Sequence, residues 1–122
     1  MAQRPVDEER EARIQNEIVA DAHDPEEQAM GWYAYLESTL EFPFLTECIA
    51  ERAISPLRTG DEVEVVSVDP EDECRHEMFV LMPWEHRPLA VPLMQLEVIH
   101  GEESTREAVE DWRYWAERGY EL

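Results

Sequence analysis

The sequence predicts an α+β fold: two N-terminal helices, a small, bent antiparallel sheet resembling an SH3-like partial barrel, and a C-terminal helix. Three observations carry this expectation. Apolar residues recur at helical spacing near both ends of the chain, the middle contains short runs with an alternating or continuous apolar pattern, and proline and glycine divide those runs.

Residues 1–6 are expected to be a flexible lead. From Asp7 to Ala22, the apolar positions Ile14, Ile18, Val19 and Ala22 fall on one side of a helix whose remainder is polar. The next start signal is denser. Asp24 suits an N-cap, Pro25 the first helical position, and Glu27 the reciprocal acid of a capping box. Met30, Tyr33, Leu36 and Leu40 then form the expected buried stripe, and the helix ends before Pro43, which forces Phe42 towards extended geometry. The segment from Phe42 to Gly60 reads as a connector whose Phe42, Phe44 and Leu45 plug into the core, with Gly60 turning the chain into the sheet. "DEVEVVSV" supplies a strand with Val63, Val65 and Val68 facing inward, and "HEMFVLMPW" and "LAVPLMQLEVI" supply two or three more. Pro83, Pro88 and Pro92 are expected at bends, edges or breaks, because proline cannot donate to a ladder. The last helix presents Ala108, Val109, Trp112 and Trp115 on one side and ends at Gly119. With 122 residues, the chain is expected to form a single domain over residues 1–122.

Thirty Asp and Glu residues face ten basic ones, all of them Arg, for a formal charge of -20. Such a field repels nucleic-acid phosphates and anionic membranes and attracts cations and basic partners. The same composition fits a halophilic or GC-rich prokaryote, in which salt screens the repulsion within an acidic coat. There is no apolar segment long enough to be a signal or a membrane span, so a cytoplasmic, soluble and monomeric protein is expected. Cys48 and Cys74 stand in no CxxC pattern and read as reduced, buried thiols; zinc through Cys74 and His76 lacks the further ligands it needs. No nucleophile, base and orienting group assemble, so the chain does not read as an enzyme.

Carboxylates in excess suit a hard cation, since Ca²⁺ accepts oxygen ligands at flexible geometry. The segment "VDPEDEC" places Asp69, Glu71, Asp72 and Glu73 together, with Asp61 and Glu77 as candidate neighbours across a hairpin. Counted from Asp69, an EF-hand would need Gly where Cys74 stands and Glu where Val80 stands, so this is no EF-hand. Glu37 and Glu41 form a second grouping. As acids four residues apart at a helix C-terminus they repel each other and the dipole, and a cation would relieve that cost.

The pieces "EIVADA", "EEQAMGWYAYLESTLEFPF", "GDEVEVV", "LAVPLMQLEVI" and "AVEDWRYWAERGY", in this order over residues 17–120, resemble the small acidic calcium-binding proteins first described in cyanobacteria. The resemblance implies a compact, non-enzymatic protein that binds Ca²⁺ through surface carboxylates, as a buffer or a sensor. Among the acids at matching positions are Asp21, Glu37, Glu41 and Asp61. Together with the turn, the expected metal ligands are Asp21, Glu37, Glu41, Asp61, Asp69, Glu71 and Asp72. Ser38 and Thr39 depart from the acidic or amide residues that family members carry there, which would weaken or move a site. The alternative is an acidic interaction module without a metal, whose charge reflects salt adaptation or the docking of a basic protein partner.

Overall fold

The computed structural model describes residues 7–20 and 22–117. Helix α1 (Glu8–Arg13) starts at Asp7, whose side chain accepts from the Arg10 amide, and continues into a π turn (Ile14–Ile18) that buries Ile14 and Ile18. A glycine permits the close packing of this turn on the second helix. A Cβ at Gly31 would overlap the Ile18 carbonyl oxygen, so the π turn lies directly on the backbone of that helix.

Helix α2 (Pro25–Thr39) begins where the sequence predicts. The Asp24 carboxylate accepts from the Glu27 amide at 2.8 Å, and the Glu27 carboxylate accepts from the His23 amide at 3.1 Å. Its buried stripe is Ala29, Trp32 and Leu36, continued by Leu40 just past its end. Leu36 and Leu40 are buried as expected, but the first half of the stripe moves by one position, from Met30 and Tyr33 to Ala29 and Trp32: Met30 is 52% exposed, because Trp32 has the larger apolar surface to bury and takes the core-facing side.

Six strands complete the middle of the chain. The segment expected to be a connector contains β1 (Phe44–Cys48), which is the centre of one sheet in the order β2-β1-β6, flanked by β2 (Glu62–Val65) and β6 (Leu96–His100). Phe44, Thr46 and Cys48 alternate inward, and the Thr46 hydroxyl donates to the Val63 carbonyl, so a polar side chain is accommodated in the core without an unmet donor. The second sheet has the order β3-β4-β5, built from β3 (Ser67–Val68), β4 (Phe79–Trp84) and β5 (Arg87–Pro92). The one bent sheet expected is thus two three-stranded antiparallel sheets, and the chain passes from one to the other across Val66 between β2 and β3. Glu85 and His86, with φ of 48° and 70°, form the tight turn between β4 and β5. Pro88 and Pro92 lie on β5, an edge strand, and Pro83 lies on β4 beyond the two residues paired with β3.

Helix α3 (Glu103–Glu117) buries Ala108, Val109, Trp112 and Trp115 as expected. Trp32 meets Trp112 edge-on at 5.1 Å and Trp115 at 5.7 Å, joining α2 to α3. Asp111, fully buried, accepts from both Arg13 nitrogens at 2.7 and 2.8 Å and from Tyr35 at 2.7 Å, and lies 3.1 Å from Arg10 Nε. Its charge raises the Arg13 pKa, while burial and the Asp111 carboxylate together hold the Tyr35 phenol neutral well above its ordinary range. This network clamps α1 against the other two helices. Residues 1–6 and Gly119 lie outside the described residues.

Candidate metal site

The acidic segment leaves β3 as a closed turn. The Asp69 amide donates to the Phe79 carbonyl at 3.0 Å, extending the ladder by one rung, and Glu71–Glu73 then form a single 3₁₀ turn closed by Glu73 N to Pro70 O (2.9 Å) and Cys74 N to Glu71 O (3.0 Å). Cys74 is buried beneath it, its Sγ 3.7 Å from the Asp69 carbonyl and 3.8 Å from that of Phe79. The thiol acts as a plug. Burial raises its pKa to about 11, against a partial lowering by the Phe79 contact, and the charges of Asp69, Glu73 and Asp72 add to the rise. A thiol so firmly protonated is a poor zinc ligand, and His76, two residues on, is exposed.

Asp69 differs from its neighbours in the turn. Only 3% of it is exposed, whereas Glu71, Asp72 and Glu73 are open to solvent. Burial pushes its pKa from 3.8 up to about 6, helped by a hydrogen bond shared with Glu73 and by the charges of Glu73 and Asp72. The fold therefore places a carboxylate where its ionised form lacks water and faces two like charges. A multivalent cation at this place would compensate that electrostatic cost.

The turn packs towards α2. A cavity of about 80 Å³ lies between them, lined by Glu26, Ala29 and Met30 of the helix and by Glu71, Asp72, Cys74 and Arg75 of the turn and the residue after it. One turn further along α2, the Tyr33 hydroxyl donates to Glu37 at 3.0 Å, and its pKa rises to about 12 through burial, that bond, and the charges of Glu37 and Glu71. Glu26, Glu71 and Asp72 thus border the cavity, with Glu37 further along α2, and the donors these acids present are carboxylate oxygens, the type that Ca²⁺ takes. Among the described residues no three His, Cys, Asp or Glu side chains already converge on one point.

Other expected ligands lie elsewhere. Asp61 is in the turn before β2, where its carboxylate accepts from the Arg58 amide at 2.8 Å; it is at the opposite end of the Glu62–Val68 segment from Asp69. Glu77 pairs with Arg52. Glu41 is not helical: Leu40 ends α2 with ψ of 132°, and the Glu41 amide donates to Thr105 on α3 at 2.9 Å, so the expected repulsion between Glu37 and Glu41 across one helical turn does not arise. Asp21 lies outside the described residues. Two acids of this face, Glu26 and Glu73, stand outside the expected ligand set. Glu73 is legible as the remaining acid of the motif, whereas Glu26 has no local signal beyond its place in the first helical turn, where it suits the helix dipole.

An α+β protein with an acid-bearing turn set against a helix, and no EF-hand, is a carboxylate-rich protein equipped for a hard cation. The chain belongs to the calcium-binding family of CcbP, whose family model, described as calcium binding, matches residues 12–116. It is 41% identical to Anabaena CcbP in its crystal structure, with a TM-score of 0.85 and 100% of both chains covered. It is equally 41% identical to a structure described as a calcium binding protein in the calcium-binding form, with a TM-score of 0.83 over 100% of both chains. No curated protein matches it. No helix among the described residues is long and apolar enough to cross a membrane.

Proposed function

We propose that this chain, acting as one domain over residues 1–122, binds Ca²⁺ and serves as a non-enzymatic calcium buffer or sensor in the cytoplasm of a prokaryote. The observation that carries the ligand assignment is the buried Asp69, its pKa raised to about 6, beneath the exposed acids of its turn. Calcium held by Glu71 and Asp72, with Glu73 beside them, Asp69 adding charge from below and Glu26 bordering from α2, would neutralise the most crowded carboxylates on this face. Water and backbone carbonyls complete the coordination of such a site, as the flexible geometry of Ca²⁺ allows. Family membership supports the choice of cation. Asp61 and Glu41 are left out of this site: the Asp61 carbonyl accepts from the Cys48 amide at one end of β1, and Glu41 precedes Phe44 at the other.

Isothermal titration of the metal-stripped protein with CaCl₂ and with MgCl₂ tests this, in wild type and in the Glu71→Gln, Asp72→Asn double variant. Saturable calcium binding, stronger than magnesium binding and weakened by about tenfold or more in the double variant, is expected. Binding by the double variant at wild-type affinity would place the ion elsewhere. Absence of saturable binding by the wild type would overturn the function itself.

A further inference from the structure

Helix α2 carries apolar side chains on more than one face. The core takes Ala29, Trp32 and Leu36, and Met30 is left on the outside. Beside it runs an open groove of about 360 Å³ between α2 and the end of the π turn with the residues after it, lined by Val19, Ala22, Gly31 and Met30 and by the acids Glu17 and Glu27. The groove exists because Gly31 lets the Ile18 carbonyl settle onto the helix backbone, which leaves a step between the two elements where a side chain would otherwise stand. Four apolar or backbone surfaces thus share the groove with two acids, on a chain of net charge -20.

We propose that this groove is a docking site for a basic, amphipathic helix of a protein partner, which inserts an apolar side chain beside Met30 and sets Lys or Arg residues against Glu17 and Glu27. Charge complementarity selects the occupant. A second copy of this chain would bring another -20 to the contact, and an acidic or purely apolar partner would leave both acids uncompensated. An unbranched thioether at the rim suits such a role, because Met adapts its shape to different apolar partners. Recognition of an amphipathic helix by an apolar groove is a recurring mode of peptide binding. The docking is independent of the calcium assignment, although Met30 also lines the small cavity beside the acidic turn.

The test uses the full chain in EDTA, so that failure here leaves the calcium reading untouched. The probe is a synthetic amphipathic Lys/Leu peptide of about five helical turns. Its affinity is measured by fluorescence anisotropy for wild type, for Met30→Gln and for Trp84→Gln, the last altering the exposed tryptophan of the β4–β5 hairpin. Methyl-labelled methionine spectra report the place of contact, with Met30 assigned by its loss in the variant. The expected result is a shift of the Met30 methyl resonance on peptide addition, an affinity lowered about tenfold by Met30→Gln, and none lost by Trp84→Gln. Equal affinity of wild type and Met30→Gln would overturn the proposal by reducing the binding to diffuse charge attraction. So would an unshifted Met30 methyl, or a loss confined to Trp84→Gln.

Discussion

Replacing Asp69 by Asn separates the cost of the buried charge from its use. The carboxyl titrates near 6 in the fold against 3.8 in an ordinary setting, so the folded state holds the proton over about two pH units in which the unfolded state has lost it. The sign comes from that difference. The group contributes stability that is fully present below pH 3.8 and is lost as pH rises through about 6. At about 1.4 kcal/mol per pH unit, ionising Asp69 costs the calcium-free protein on the order of 2–3 kcal/mol at pH 7.5, because the side chain is too well buried for water to screen it. Asn keeps the shape, carries no charge, and can donate its amide hydrogens to Glu73. In EGTA at pH 7.5, Asp69→Asn is therefore expected to be more stable than wild type by about 1–3 kcal/mol, with the difference vanishing near pH 4. Calcium reverses the order, since a ligand bound to the folded state stabilises it by mass action and the variant has lost one of the charges that attract it. Urea unfolding monitored by tryptophan fluorescence, at several pH values with EGTA or excess CaCl₂, measures both effects. Comparing the two proteins at each pH cancels the contributions of the acids outside this turn, while Glu73, which shares a hydrogen bond with Asp69, titrates together with it. A variant no more stable than wild type in EGTA at pH 7.5, with an unchanged pH slope, would refute the electrostatic account of this turn.

Two further outcomes concern the helical clamp and the buried thiol. Asp111→Ala leaves Arg13 and the Tyr35 hydroxyl without their shared acceptor and Arg10 without its buried counter-charge, so a loss of about 3–5 kcal/mol in urea unfolding is expected, with α1 the first segment to exchange its amide protons. Cys74, buried and with its pKa raised to about 11, should resist Ellman's reagent at pH 8 in the native protein and react on unfolding in urea; rapid native labelling at Cys74 would contradict the closed turn.

The legible parts of the fold are those specified by local chemistry. Asp24, Pro25 and Glu27 mark the start of α2 because a cap, a preset φ and a reciprocal acid act within one turn of chain. The α3 stripe is legible because Ala108, Val109, Trp112 and Trp115 share a face in any helix. Strand β1 is not. Thr46 and Cys48 fill its inward positions, and its strand conformation depends on ladders to β2 and β6 that are distant in sequence. The place of Met30 is hidden because helical periodicity alone cannot say which of two apolar faces a neighbour will cover, and here Trp32 meets Trp112 and Trp115. That of Glu41 is hidden because the exit from α2 is held by Thr105, sixty-four residues away.

The candidate site divides along the same line. Sequence by itself determined that the protein is an acidic α+β chain suited to a hard cation, that its acids form no EF-hand, and which family it resembles, since composition, motif order and spacing are properties of the chain alone. Only the tertiary structure decided that the turn faces Glu26 and Tyr33 on α2 while Asp61 stands at the far end of its strand segment. It also decided that Asp69 alone among the turn acids is buried. Burial and neighbouring charge arise when distant segments pack, and these two quantities turn four similar carboxylates into one reluctant anion beneath three solvated ones.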